Sequence, residues 1–73
     1  MYNLSDISPG QTVVVESIGV KDSMRRRIMD IGLVPGTVVR CIGKSPLGDP
    51  SAFLVRGAVI ALRADDSKNI FVR

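Results

Sequence analysis

The amino-acid sequence predicts a mainly β fold: a small five-stranded β-barrel with one α-helix between the first two strands and a short helical turn before the last. Three observations support this prediction. Turn-forming residues divide the chain into short segments, these segments are rich in strand formers, and each can place its apolar side chains on one face. The length of 73 residues suits one small domain, to which we assign 1–73.

The five predicted strands share one pattern, in which a charged residue marks the outward face. They are Gln11–Ile18, Thr37–Ile42, Ala52–Arg56, Val59–Arg63 and Ile70–Arg73. Successive side chains of a strand point to opposite faces, so a charged residue that faces solvent turns its neighbours inward. Each strand then sends two apolar residues to a common interior: Val13, Val15, Val39, Cys41, Phe53, Val55, Ile60, Leu62, Ile70 and Val72.

The same alternation leaves apolar residues on the outer face of the barrel. These are Val14, Val38, Ile42, Leu54, Val59 and Phe71. One short helix is too small to cover all of them, so we expect some to be exposed.

The predicted helix runs from about Met24 to Ile31, with Ser23 or Asp22 as its N-cap. Its apolar residues at i, i+4 and i+7 form one stripe: Met24, Ile28 and Ile31. This stripe predicts that the helix covers the barrel like a lid.

Glycines mark the expected stops and turns of the backbone. Gly32 stands where a helix often ends in the left-handed conformation, and Leu33 behind it can fold back onto Ile28. The pairs Pro9-Gly10 and Pro35-Gly36 each precede a valine-rich strand, and both predict a turn with glycine at positive φ.

Most catalytic designs are excluded by composition. The chain has no histidine and one cysteine, Cys41, so Ser-His and Cys-His nucleophiles, imidazole metal ligands and an internal disulfide are absent. Gly43-Lys44-Ser45 matches only the end of a phosphate-binding loop, because Val38 stands where that loop needs glycine. Asp65 and Asp66 fit a short helical turn better than a cation site. We therefore predict no enzyme activity and no cofactor.

The cations and the few aromatic residues bear on the kind of partner. A net charge of +3 attracts acidic partners weakly, and the densest cations, Arg25-Arg26-Arg27, cannot share one helix face. They can form a solvated face, contact an acidic protein or bind nucleic acid. The aromatic residues are only Tyr2, Phe53 and Phe71, too few for a base-stacking platform.

One loop residue has two open interpretations. Leu47 lies between Pro46 and Gly48, where a polar residue would be usual. It can contact a partner or plug an open end of the barrel.

Three segments at 26–36, 46–50 and 60–63 together resemble the FeoA family, small proteins of bacterial ferrous iron transport. The first reads Arg-Arg-Ile-Met-Asp-Ile-Gly-Leu-Val-Pro-Gly, the second Pro-Leu-Gly-Asp-Pro and the third Ile-Ala-Leu-Arg. The structural motif positions that carry this resemblance are Gly32, Pro35, Gly36, Pro46, Gly48, Asp49 and Pro50. Ser67 departs from the alanine that the family often has in its last helical turn.

The resemblance implies an SH3-like barrel and an accessory role for FeoB, the membrane ferrous iron transporter with a cytoplasmic GTP-binding domain. It implies no catalytic residues.

The chain has no apolar run long enough for a membrane span or a signal sequence, so we expect it in the cytoplasm. Alternative functions are a basic SH3-like nucleic-acid-binding module and, more remotely, a metal sensor. For the adaptor role, we expect partner contacts at Arg25, Arg26, Leu47, Leu54 and Phe71.

Overall fold

The secondary structure follows the predicted order, with small shifts at the element ends. The computed structural model describes residues 2–20, 22–47 and 49–73, with only the backbone of Asp22. Its elements are a 3₁₀ turn at Leu4–Asp6, β1 at Thr12–Ile18, α1 at Asp22–Asp30, β2 at Val38–Lys44, β3 at Ser51–Val55, β4 at Ala58–Leu62, α2 at Ala64–Ser67 and β5 at Ile70–Val72. All five predicted strands and both predicted helical segments are therefore confirmed.

The strands form one five-stranded antiparallel sheet in the order β4-β3-β2-β1-β5. Strand β2 runs two residues beyond its predicted end at Ile42, to Lys44. A bulge precedes this extension, because the register with β3 shifts between Cys41 and Gly43. Ile42 is the extra residue of the bulge, and it lies on the surface, 47% exposed.

The inward face of every strand supplies one common core, as the alternation predicts. Phe53, Val39 and Cys41 are completely buried, and the inward residues of β1 and β5 are buried with them. Ile60 on the edge strand β4 is only half-buried and packs against this core from its side. The predicted interior is thus correct for all five strands.

The N-terminal segment completes the core, which the sequence analysis did not predict. Leu4 and Ile7 are both 0% exposed, so each contributes burial of roughly 1.5–3 kcal/mol. The segment also lies along the outer edge of β5. The Tyr2 carbonyl oxygen accepts a hydrogen bond from the Val72 N–H at 2.9 Å, and Asn3 forms a β-bridge with Phe71.

Helix α1 starts and ends earlier than predicted. It begins at Asp22, so Asp22 and Ser23 lie in its first turn and neither is the N-cap. It ends at Asp30, and Ile31 is 44% exposed instead of continuing the apolar stripe. Ile31 faces solvent because the chain leaves the helix there. The contact with the core is made by Ile28, which is buried, and by Met24, which is half-buried.

The stop of α1 at Gly32 is confirmed in detail. Gly32 has φ +100°, and its N–H donates to the Met29 carbonyl oxygen at 3.0 Å. The Leu33 N–H donates to the Ile28 carbonyl oxygen at 3.3 Å, and both side chains are buried. These two bonds form a Schellman motif, which turns Leu33 back into the core.

The turn at Pro35-Gly36 connects this helix end to the sheet. Gly36 has φ +93°, as predicted, and Gly10 in the matching turn has φ +94°. Thr37 lies in the turn, one residue before β2, and it is buried. Its hydroxyl donates to the Gly32 carbonyl oxygen at 2.9 Å, so one side chain joins the helix stop to the start of β2.

Replacing Gly32 with valine should lower the free energy of unfolding by at least ~1 kcal/mol, because a β-branched residue is strained at positive φ. A Cβ at Gly32 would lie 3.5 Å from Arg56 Cδ, an ordinary contact, so the loss reports backbone strain and not a clash. Urea denaturation measures it. Gly32→Asn is the matched control and should lose less, since asparagine adopts this conformation more readily. Equal midpoints for Gly32→Val and the unmodified protein would contradict the cap assignment.

Candidate functional site

The arginines of α1 form an open cationic surface. Arg25, Arg26 and Arg27 are all exposed, as expected for a solvated helix face. Arg27 has an acidic neighbour, with its Nη2 3.9 Å from Asp66 Oδ2. An ion pair this long with an exposed arginine contributes little to stability. Arg26 and Arg27 also line a shallow depression with Ser23 and Asp30, which leaves both guanidinium groups accessible to a partner.

The loop between β2 and β3 presents Leu47 to solvent. Leu47 is 94% exposed, so the interpretation of this residue as a plug is wrong. The loop is held at the surface from both ends: the Ser45 hydroxyl donates to the Asp49 carbonyl oxygen at 2.8 Å, and the Ser45 N–H to the Pro50 carbonyl oxygen at 3.1 Å. Pro46 is exposed beside Leu47, and Gly48 lies outside the described residues.

The acidic residue of this loop joins it to α2. Asp49 Oδ1 accepts a hydrogen bond from the Ala64 N–H, the first of α2, at 2.9 Å. A carboxylate in this position satisfies a helix N–H that no residue within the turn can reach. Asp49 therefore joins the loop that carries Leu47 to the start of α2. The peptide bond between Asp49 and Pro50 is cis.

Leu54 lies on the outer face of the sheet among other apolar residues. It pairs with Arg40 of β2 on one side and with Val59 of β4 on the other, and paired residues share a face. Leu54 itself is half-buried, whereas Val59 is 64% exposed. We call this surface the outer apolar patch and define it as Val38, Ile42, Leu54, Val59 and Ala61.

Phe71 lies away from this patch, because β1 and β2 separate β5 from β3 in the sheet. Its ring packs on the backbone of Gly19, where an added Cβ would be 2.5 Å from Phe71 Cε2. Phe71 is therefore half-buried, and its contact with Gly19 gives it a structural role. The structure thus distributes the five predicted contact residues over the helix, the loop, the outer apolar patch and β5.

Sequence reasoning missed two features of this surface. Ala61 belongs to the outer apolar patch, and Arg40 adjoins Leu54 within the sheet. Alternation indicates that Arg40 faces outward. Only the strand order shows which outward residues are neighbours.

Few groups in this structure could perform chemistry or hold a metal. Cys41 is completely buried, as predicted. Across residues 2–20, 22–47 and 49–73, no three His, Cys, Asp or Glu side chains lie close enough together to hold a metal ion. The predicted helical turn at Asp65 and Asp66 is confirmed, as part of α2. None of the helices described is both long enough and apolar enough to cross a bilayer.

Comparisons with known proteins identify the family. The FeoA domain family model matches residues 2–73. A FeoA-like protein from Clostridium acetobutylicum has a TM-score of 0.91 and 38% identity, and the match covers 99% of this chain and 84% of that one. FeoA of Stenotrophomonas maltophilia, a zinc complex described as an SH3 domain protein, has a TM-score of 0.88 and 31% identity over 100% of this chain and 91% of that one.

A longer relative contains the same kind of sequence. The Fe(2+) transport protein A/Fe(2+) transporter FeoB fusion protein of Porphyromonas gingivalis is 28% identical over 69 residues, which is 94% of this chain and 8% of that protein. The likeness to the Stenotrophomonas maltophilia structure shows that the five-stranded sheet has the SH3-like fold. The match of the family model over residues 2–73 shows that this chain belongs to the FeoA family.

Proposed function

We propose that the chain is a non-catalytic accessory protein of ferrous iron transport that binds the cytoplasmic, GTP-binding part of a FeoB-type transporter. The observation that carries this proposal is the fusion protein of Porphyromonas gingivalis, in which a region similar to this chain and a FeoB transporter share one polypeptide. Joining two domains raises the effective concentration of one at the other. The proposed site of action is the cytoplasm.

The surface offers groups suited to such binding. Arg25 and Arg26 are exposed cations on a helix, and Leu47 is an exposed apolar side chain on an anchored loop. Apolar anchors and cations are both common in protein interfaces, where an anchor contributes affinity and charges speed association. The description of the Stenotrophomonas maltophilia protein as a candidate activating factor of ferrous iron transport agrees with a partner-binding role.

Nucleic acid is the alternative partner, favoured by the net charge of +3. Its weakness is the small aromatic surface, because Phe53 is buried, Phe71 is half-buried against Gly19 and Tyr2 is 42% exposed. Titration with single-stranded RNA at several salt concentrations separates the two functions. Affinity that falls steeply with salt would favour the nucleic-acid module. Saturable binding to the transporter domain favours the adaptor.

Replacing Leu47 with aspartate should leave the free energy of unfolding, measured by urea denaturation, within about 0.5 kcal/mol of the unmodified protein, because a surface substitution at a 94% exposed residue removes little packing. Binding to the cytoplasmic domain of a FeoB-type transporter, measured by calorimetry, should weaken at least ~10-fold. Val38→Asp makes the same kind of change at another exposed apolar residue and serves as control. If Leu47→Asp binds as well as the unmodified protein, Leu47 is not a contact.

Reversing the charge of Arg26 should slow association with the same domain and make it less sensitive to salt, since rim charges act mainly on the encounter rate. Stopped-flow or surface-based kinetics at low and moderate salt measure both effects. Arg73→Glu makes the same charge change at the exposed end of the chain. Equal effects from the two variants would show that only net charge matters and would remove Arg26 from the site.

The purified chain should neither hydrolyse GTP nor hold iron(II) more tightly than roughly micromolar, because its carboxylates are scattered and it has no histidine. Phosphate release and the iron content after anaerobic desalting test this. A rise of the melting temperature with iron(II) would favour the metal sensor. Stoichiometric iron after desalting would contradict a non-metallic adaptor.

A further inference from the structure

The two edge strands of the sheet differ in how they are covered. At β5, the N-terminal segment forms the bridge from Asn3 to Phe71 and the hydrogen bond from Val72 to Tyr2. At β4, no backbone hydrogen bond beyond its pairing with β3 involves Val59 or Ala61 among residues 2–20, 22–47 and 49–73. Both residues are exposed. An uncovered apolar edge strand is a ready template for pairing with another chain.

The geometry of the β3–β4 hairpin identifies the open backbone groups. Its turn contains two residues, Arg56 at φ 51° and Gly57 at φ 80°, the positive values of a type I′ turn. The pair that flanks such a turn exchanges hydrogen bonds, and bonded and non-bonded pairs then alternate along an antiparallel ladder. Val59 and Ala61 fall in non-bonded pairs, opposite Leu54 and Ala52. Their N–H and C=O groups therefore point away from β3, to the open edge.

The charge around this edge is mainly positive. Residues 38–63 contain four cations, Arg40, Lys44, Arg56 and Arg63, and one carboxylate, Asp49. They therefore carry the whole net charge of +3, because cations and carboxylates balance in the rest of the chain. All four cations are exposed. Arg56, in the hairpin turn, and Arg63, directly after Leu62, lie at the two ends of β4.

This charge distribution argues against a second copy of the chain at the edge. An antiparallel pairing of two β4 strands would bring Arg63 of each copy near Arg56 of the other, at both ends of the pairing. Such like charges disfavour association. A segment with carboxylates at its ends is complementary to the same edge.

We propose that the open edge of β4, together with the outer apolar patch, receives an extended segment of a partner protein that has apolar residues at its centre and carboxylates at both ends. The segment adds a sixth strand to the sheet by bonding to the N–H and C=O groups of Val59 and Ala61. Its apolar side chains pack beside Val59 and Leu54, and its terminal carboxylates face Arg56 and Arg63. This inference goes beyond the proposed function, because it does not require the partner to be the transporter.

The test uses a synthetic peptide, Glu-Glu-Val-Thr-Val-Thr-Val-Glu-Glu, and a control peptide in which lysine replaces the four glutamates. Amide hydrogen exchange of the full chain is followed by NMR. We expect the acidic peptide to slow exchange at Val59 and Ala61 at least ~10-fold at saturation, and the lysine peptide to leave it unchanged. Absence of protection by the acidic peptide would overturn the proposal, and so would equal protection by both peptides.

Two variants with the same charge change locate the site. Val59 is 64% exposed and Tyr2 42% exposed, so either should accept glutamate without loss of fold. Val59→Glu should weaken binding of the acidic peptide at least ~10-fold more than Tyr2→Glu, because Tyr2 lies beside β5 at the opposite edge of the sheet. Equal weakening would remove β4 from the site. If Val59→Glu unfolds, the comparison of the acidic and lysine peptides on the unmodified protein still tests the proposal.

Two further outcomes assign the edge to another occupant. Protection that rises with protein concentration in the absence of peptide would show that a second copy binds there, against the charge argument. Protection by single-stranded RNA but not by the acidic peptide would indicate that the cations of 38–63 bind nucleic acid. Either result overturns the proposal, and neither bears on whether the transporter domain binds elsewhere.

Discussion

The structure depends on one packing constraint, that a barrel of this size accepts only one face of each strand. Phe53, Val39 and Cys41 fill the centre completely, and the inward residues of the other strands close around them. Interiors are packed as densely as organic crystals, so an apolar residue on the opposite face has no room inside. The outer apolar patch follows directly. Strands rich in valine and isoleucine must expose apolar side chains unless another element or another molecule covers them.

Elements outside the sheet cover the core at some places and leave the outer face open at others. The N-terminal segment buries Leu4 and Ile7 and occupies the edge of β5. Helix α1 contributes Ile28, and its Schellman motif at Gly32 brings Leu33 into the core. None of these contacts reaches Val59, which stays 64% exposed. The side of the molecule that carries β4 is therefore left open to solvent at Val59.

Hydrogen bonds hold the loops that present the candidate contact residues. Ser45 and Asp49 anchor the loop of Leu47, and Thr37 joins the end of α1 to the start of β2. An anchored loop loses little conformational entropy on binding, which favours affinity. One buried polar atom is not satisfied in this way: the Ser67 hydroxyl has no hydrogen-bond partner among the described residues. This unpaired hydroxyl explains in physical terms why alanine fits the same position.

The sequence by itself determined the local and periodic features. Alternation predicted the inward residues of all five strands, and backbone chemistry predicted positive φ at Gly10, Gly32 and Gly36. Both depend on neighbours along the chain, and sequence records such neighbours directly. The family resemblance likewise rested on short motifs. The match to the FeoA domain model confirmed the family. The early start of α1 and the exposure of Ile31 were not determined, because helix ends depend on which residues meet the core.

Only the tertiary structure decided what depends on contacts between distant segments. Leu4 lies in a single 3₁₀ turn and Ile7 directly after it, so no repeating pattern of apolar residues marks them as core residues. The exposure of Leu47 depended on bonds from its loop to α2, and the separation of Phe71 from Leu54 depended on strand order. The open edge of β4 is of the same kind. Composition shows that β4 is apolar, but the presence or absence of a neighbouring strand is a property of the assembled sheet.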